Sequence, residues 1–226
     1  KYIPVYQPAS KEDFSYEIRQ IEPDLIYVVA YGMILPKDIT DNYLCINSHA
    51  SLLPLHRGAA PMQAALLNGD NETGITLFRI REKMDSGEIC VKKSIPIEPR
   101  DNIQSIHDKL SVLSAEVSAQ FFKDLEADNV TYDPQDHDKA TYCTKINKED
   151  YHLKLSDDPI VNNQKVKAYS PVPGAYIEVD EKRVIILDSD VVEGKLKIKR
   201  LKPAGKPAMS YADYCLGHPE GIKGLD

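Results

Sequence analysis

Long apolar runs are scarce in this 226-residue sequence. The longest, Leu25 to Ala30, falls far short of the roughly 20 residues that span a bilayer, so neither a membrane segment nor a signal peptide is expected. Cysteine is equally thin. Cys45, Cys90, Cys143 and Cys215 are scattered and form no Cys-x-x-Cys pair, which argues against a zinc site and against a disulfide framework and points to a reducing, cytoplasmic setting. No Walker motif and no Gly-x-Gly-x-x-Gly is present, so phosphate cradling and dinucleotide binding lack support. There is no Gly-x-Ser-x-Gly elbow, and Ser51 lacks the strand-turn-helix context of a nucleophile.

What is present has the composition of a folded protein. Hydrophobic residues make up 42% and charged residues 28%, close to the soluble average, and the length suits one large or two modest domains, two being favoured. The net charge of −7 is uneven: up to Leu155 there are 17 Lys and Arg against 24 Asp and Glu, and from Ser156 onward 11 against 11. The neutral tail holds Lys195, Lys197, Lys199, Arg200, Lys202 and Lys206 in a stretch from Lys195 to Ala212 without an acid. Such a stretch is either a solvated strand edge guarded by lysines or a contact for an RNA backbone.

Along the chain, Lys11 to Gln20 has helical spacing with Ser10 as N-cap. Leu25 to Ala30 reads as a strand covered on both faces of a parallel sheet. Leu44 to Asn47 reads as a second strand and Pro61 to Leu67 as a helix. Gly74 to Ile80 and Ile89 to Ile97 follow as strands, and Asn102 to Ala127 as one long amphipathic helix. The alternation predicts an α/β layer structure. Polar residues dominate from Asp128 to Asp158, which suggests an interdomain crossing with a boundary near Ser156. The remainder, with short strands over 174–179, 183–187 and 195–201, suggests a small all-β barrel or curled sheet.

The densest chemical feature runs from Cys45 to Pro61. If extension continues through Ser48, Asn47 and His49 point the same way, about 6.6 Å apart at about 3.3 Å per residue. They would lie beyond the carboxyl end of a strand, where open α/β sheets bind ligands. An isolated Asn-x-His is more often a turn cap beside a satisfied histidine. Here Pro54, Arg57, Gly58 and Pro61 follow in a loop of the kind that holds ligands on a rigid scaffold. His56 reads as exposed. Asp85, before Ser86-Gly87, is ordinary turn chemistry unless it reaches His49. Tyr211 and Tyr214 read as core or edge aromatics.

Asn47-Ser-His49, Ser51-Leu-Leu-Pro-Leu-His-Arg-Gly-Ala-Ala-Pro61, Thr73-Gly-Ile-Thr76 and Met84-Asp-Ser-Gly87, four pieces in one order, resemble the formyltetrahydrofolate-dependent transferases. Arg57 to Pro61 and the later Lys202-Pro-Ala-Gly-Lys-Pro-Ala-Met-Ser210 resemble the methionyl-tRNA formyltransferases among them. The resemblance implies an open, mostly parallel Rossmann-like sheet followed by a small OB-like β-barrel. It divides the chain into a catalytic domain over 1–127, a linker over 128–155 and a tRNA-binding β domain over 156–226. Asn47, His49 and Asp85 match the catalytic trio. Tyr31, Met33, Ile34, Leu35 and Pro36 match the pteridine-binding stretch, and Ile80, Arg81 and Met84 the folate-binding loop. Ser51, Leu52, Leu53, Pro54 and Arg57 are implied to face the acceptor, with Lys197, Lys199 and Lys202 on the RNA.

The implied reaction moves the formyl group of 10-formyltetrahydrofolate to the α-amine of methionyl initiator tRNA, without metal, in a cytoplasmic monomer. Asn47 and a protonated His49 would donate to the formyl oxygen, and Asp85 would orient His49 and relay a proton. Two alternatives remain: a small-molecule acceptor, such as an amino sugar nucleotide or glycinamide ribonucleotide, and an inactive fragment that binds folate or RNA. The family pattern begins with a strand, a helix, a second strand and a basic loop, and this sequence opens after them at Lys1-Tyr-Ile-Pro-Val-Tyr-Gln-Pro8. A partial chain with exposed sheet edges is therefore expected, and the tail is short for a full five-stranded barrel.

Overall fold

The computed structural model describes residues 3–225. In chain order the elements are α1 (Lys11–Ile21), β1 (Ile26–Val29), α2 (Lys37–Asn42), β2 (Cys45–His49), β3 (Arg57–Gly58), α3 (Pro61–Asn68), β4 (Glu72–Arg79) and β5 (Ile89–Pro96). There follow α4 (Ile103–Glu126), β6 (Tyr142–Cys143), α5 (Pro159–Tyr169), β7 (Ala175–Val179), β8 (Lys182–Val192), β9 (Lys195–Pro203), β10 (Met209–Ser210) and α6 (Tyr211–Gly217). The chain separates into two compact units: Lys1–Gly58, Gly74–Ser94 and Leu113–Tyr142 form the first, and Ala59–Thr73, Ile95–Val112 and Cys143–Asp226 the second.

The first unit carries a sheet of order β1-β2-β4-β5. β1 runs parallel to β2, with Val28 opposite Asn47, whereas β2 and β4 are antiparallel, with His49 opposite Thr76. The sheet is therefore mixed, which corrects the mostly parallel sheet expected above. The run Leu25 to Ala30, expected to be covered on both faces, forms an edge strand with no fully buried residue and Val29 55% exposed; an apolar run carries no information about how many neighbours a strand has or their direction. Successive side chains alternate along β2. On one face Ser48 Oγ lies 2.9 Å from Ser114 Oγ, and Tyr27 OH on β1 lies 2.5 Å from Ser118 Oγ, so the second half of α4 covers that face with Leu113, Val117 and Phe121 buried. Asn47 and His49 take the opposite face.

Strand β1 is an edge of this sheet. Helix α1 begins where the sequence predicts, with Ser10 Oγ accepting the Asp13 N–H at 3.0 Å. Its Phe14 and Ile18 join Val29, Tyr31 and Leu35 around an apolar cleft of about 330 Å³ along the β1 edge.

The second unit is built on an antiparallel sheet of order β10-β9-β8-β7. Ala175, Ile177, Val184, Ile186, Leu196, Ile198 and Leu201 are buried. Helix α5 packs against β7, β8 and β9, and α6 against β9 and β10. Among the described residues β7 and β10 do not pair with each other, so the sheet is open and the expected barrel is corrected to a four-stranded sheet with helices. Helix α5 was not anticipated because its buried face carries Asn162 and Ala168 beside Val166 and Tyr169, which leaves no continuous apolar stripe to recognise. Its start signal was present: Asp158 accepts the Ile160 N–H at 2.7 Å and Pro159 occupies the first turn, a combination that favours helix initiation.

Candidate functional site

His49 ends β2 with its ring buried. Its Nε2 donates to the His56 carbonyl oxygen at 3.0 Å, and its Nδ1 lies 3.9 Å from Asp85 Oδ2. The Nε2–H is thus engaged by a carbonyl, while Nδ1 faces the carboxylate from beyond hydrogen-bond length. The Phe78 ring meets the imidazole edge-on at a centroid distance of 6.2 Å. Asn47 is half-buried, and among the described residues its amide makes no hydrogen bond.

The Asp85 carboxylate is held from below. Gly58 N–H donates to its Oδ2 at 2.8 Å. Asp85 itself has φ 48°, in the left-handed region, where a short polar side chain is tolerated better than most. Two residues on, a Cβ at Gly87 would come within 1.8 Å of the Arg79 carbonyl oxygen, so only glycine fits this turn. The Asp-Ser-Gly sequence is turn chemistry, as its composition suggests, and the same turn delivers the carboxylate to His49.

The loop after β2 is internally bonded. Thr76 Oγ1 donates to the Ser51 carbonyl at 2.7 Å and accepts the Leu53 N–H at 3.1 Å, while Ser51 Oγ donates to the Leu55 carbonyl at 2.6 Å. Ser51 and Leu53 are fully buried, with Leu52 and Pro54 half-buried. Arg57 is 2% exposed. Its Nε and Nη2 donate to Gln135 Oε1 at 3.2 and 2.6 Å, Nη2 also donates to His137 Nδ1 at 3.0 Å, and Nη1 to Tyr142 OH at 3.2 Å. The side chains of Ser51, Leu53 and Arg57 are therefore committed within the protein. His56, expected to be exposed, is 6% exposed, because its N–H donates to Thr141 Oγ1 and its carbonyl serves His49.

Parallel pairing of β1 with β2 puts the loop of Tyr31, Met33, Ile34, Leu35 and Pro36 at the same sheet end as Asn47 and His49. The loop has no regular structure, Ile34 is 72% exposed, and among the described residues no backbone hydrogen bond engages the N–H groups of residues 31–35. Its polar edges are thus open to a heterocycle. Following β4, Ile80 N–H donates to the Cys45 carbonyl at 2.8 Å. Arg81 grips Glu88 with two hydrogen bonds of 3.0 and 2.9 Å, which raises the guanidinium pKa and lowers that of the carboxyl. Met84 stands 59% exposed at the tip.

Sequence reasoning missed Gln135, His137, Thr141 and Tyr142, whose polarity reads as that of a crossing segment. The one available signal was that so polar a run still carries aromatic residues.

Lys197, Lys199 and Lys202 belong to the second unit and line the exposed side of β9. The register slips between Ile186–Leu201 and Ser189–Ile198, with Asp188 opposite Arg200, and Lys199 and Arg200 are both exposed. Lys199 is ion-paired with Asp190, a contact that raises its pKa.

Solved structures share this fold. HypX from Aquifex aeolicus, described in complex with tetrahydrofolic acid, superposes with a TM-score of 0.71 at 18% identity, over 94% of this chain and 42% of that one. A methionyl-tRNA formyltransferase from Clostridium thermocellum gives 0.65 at 19% identity, over 86% and 84%. At these identities the likeness establishes a formyltransferase fold. Sequence similarity goes further: the family model described as formyl transferase matches residues 5–120. The methionyl-tRNA formyltransferases of Methylococcus capsulatus and Caldanaerobacter subterraneus are 36% and 35% identical, over 96% and 98% of this chain and 79% and 81% of theirs. The chain belongs to the formyl transferase family, among relatives named methionyl-tRNA formyltransferase.

Proposed function

We propose that the chain transfers the formyl group of 10-formyltetrahydrofolate to the α-amine of methionyl initiator tRNA, with Asn47, His49 and Asp85 as its catalytic groups. The observation that carries the reading is the His49 ring, held between the Asp85 carboxylate and the His56 carbonyl at the end of β2. The names of the relatives and the tetrahydrofolic acid of the HypX complex support the choice of substrates. The folate supplies an activated formyl carbon when bound, and the open backbone edges of residues 31–35 are suited to its pteridine.

As the amine attacks, negative charge grows on the formyl oxygen. Asn47, whose amide is unengaged among the described residues, donates to that oxygen, and His49 adds a second donor through its Nδ1–H, which at 3.9 Å from Asp85 Oδ2 is not held in a hydrogen bond; removal of one such donor typically costs about 3–4 kcal/mol in the transition state. Asp85 orients the His49 ring and takes part in moving the proton from the amine to the departing nitrogen. Lys197 and Lys202 contribute phosphate contacts from β9. The setting is cytoplasmic and the enzyme monomeric; Cys45, Cys90 and Cys215 carry free thiols.

The test is formyl transfer from 10-formyltetrahydrofolate to methionyl initiator tRNA, with an amino sugar nucleotide and glycinamide ribonucleotide as competing acceptors. Formylation of the tRNA alone is expected. Preference for either small amine would replace the acceptor and keep the folate chemistry, and folate binding without transfer would mean an inactive fragment.

A further inference from the structure

We propose that Gln135 is a positioning residue for this reaction: its carboxamide, oriented by Arg57, holds the turn that presents the Asp85 carboxylate to His49. The inference rests on the catalytic reading of Asp85 and adds to it a residue 50 positions away in sequence.

The orientation of the amide follows from chemistry. A guanidinium can only donate, so the Gln135 atom 2.6 Å from Arg57 Nη2 and 3.2 Å from its Nε is the carbonyl oxygen. The NH2 group is thereby turned to the opposite side, where it donates to the Asp85 carbonyl at 2.9 Å and the Gly87 carbonyl at 2.7 Å. All of the amide's strong hydrogen-bonding directions are used, and Gln135 is 6% exposed, so the amide is fully satisfied and shielded from water. Among the described residues the partners of the buried Arg57 guanidinium are Gln135, His137 and Tyr142, none of them a carboxylate. A cation kept away from water without an anionic partner is expensive, and its contacts all go to the 135–142 segment that clamps the Asp85 turn.

That turn needs an external clamp. It contains Asp85 at φ 48° and a glycine with no room for a Cβ, and its internal contacts, the Ser86 N–H at 3.4 Å and the Ser86 hydroxyl at 2.9 Å, both end on the one Lys83 carbonyl and leave the Asp85 and Gly87 carbonyls to Gln135. Gln135 holds the carbonyls on both sides of Ser86. Since Asp85 Oδ2 also accepts the Gly58 N–H, a small rotation of the turn would trade the His49 contact for a more distant one.

The experiment is single-turnover formyl transfer from 10-formyltetrahydrofolate to methionyl-tRNA by the full chain carrying Gln135→Met, Gln135→Glu or Asp85→Asn, alone and combined. Gln135→Met keeps the side-chain length and removes every hydrogen bond. Gln135→Glu keeps the acceptor for Arg57 but sets an oxygen against the two carbonyls, so it reports even if the Met variant fails to fold. Either change should lower kcat by roughly 10- to 100-fold, the loss expected of a small misplacement of a catalytic group, with the folate KM within about twofold. On the Asp85→Asn background the added loss should shrink to about twofold or less, because the two residues act through one carboxylate.

A Gln135 effect that is absent, or that multiplies undiminished onto Asp85→Asn, overturns the inference while leaving the catalytic trio standing. Full activity of Asp85→Asn alone removes the trio and the inference together.

Discussion

The loop from Ser51 to Gly58 and the strand β9 are both rich in polar side chains, and the protein uses them in opposite ways. In the loop, Ser51, His56 and Arg57 are buried; the Ser51 hydroxyl bonds locally to Leu55, while His56 and Arg57 bond groups distant in sequence, Thr141 and Gln135 among them. On β9, Lys195, Lys197, Arg200 and Lys202 face solvent, and the charged contact at Lys199 is with a half-exposed aspartate. Polarity that folds inward sets the geometry of a site, because each unmade bond would leave a buried group unsatisfied. Polarity that faces out is free to meet a charged partner and adds little to stability.

The sharpest break of that comparison is at the site. Asn47→Ala and His49→Ala should each lower kcat by about 10²–10³-fold, the range for loss of an oxyanion donor. For Asn47→Ala, whose amide makes no bond among the described residues, thermal melting should stay within a degree or two. Rates within about threefold of the parent for either variant would mean that the inward polar groups serve the fold alone.

Arg57→Met comes next and reads stability. It leaves Gln135 Oε1, His137 Nδ1 and Tyr142 OH without the guanidinium, and about 2–4 kcal/mol of unfolding free energy should be lost, measured by urea denaturation. A loss under about 0.5 kcal/mol would place Arg57 with the solvent-facing cations of β9.

Asp101 in the second unit tests the same rule through pH. It is 6% exposed; burial would raise its pKa, but Lys109 at 2.6 Å, the Glu98 N–H and the Ser105 hydroxyl together hold it below the usual 3.8. A carboxyl depressed on folding stabilises above its unfolded pKa, and that contribution is lost as pH falls through the folded value. Asp101→Asn should therefore destabilise by about 1–3 kcal/mol at pH 7. The gap to the parent should close as pH drops below 3.8. Equal destabilisation at pH 7 and at pH 3 would show that packing, and not the charge, matters there.

The smallest effect belongs to the outward strand. Replacing Lys197, Lys199 and Lys202 together by Gln should weaken tRNA binding and flatten its salt dependence by about one to two log units per log unit of salt, with no change in folate affinity. Lys199→Gln alone should contribute least of the three, because Asp190 already neutralises it. An unaltered salt slope would make the row a set of edge guards.

Much of the fold was legible from pattern alone. Helix α1 with its Ser10 cap, α4 with Leu110, Leu113, Val117 and Phe121 in one buried stripe, and the strands β1, β2, β4 and β5 all follow from spacing. So does the common face of Asn47 and His49, since side chains alternate by strand geometry. These are local properties, carried by neighbours three, four or two residues apart. The antiparallel pairing of β2 with β4, the open second sheet and the contact of Asp85 with His49 were decided only when distant segments met, because direction and distance between segments leave no mark on residue spacing. Arg57 and Gln135 show the limit most plainly. Their types and positions are in the sequence, but that one orients the other against the Asp85 turn depends on the chain folding back over a separation of 78 positions, and burial, not composition, makes that hydrogen bond count.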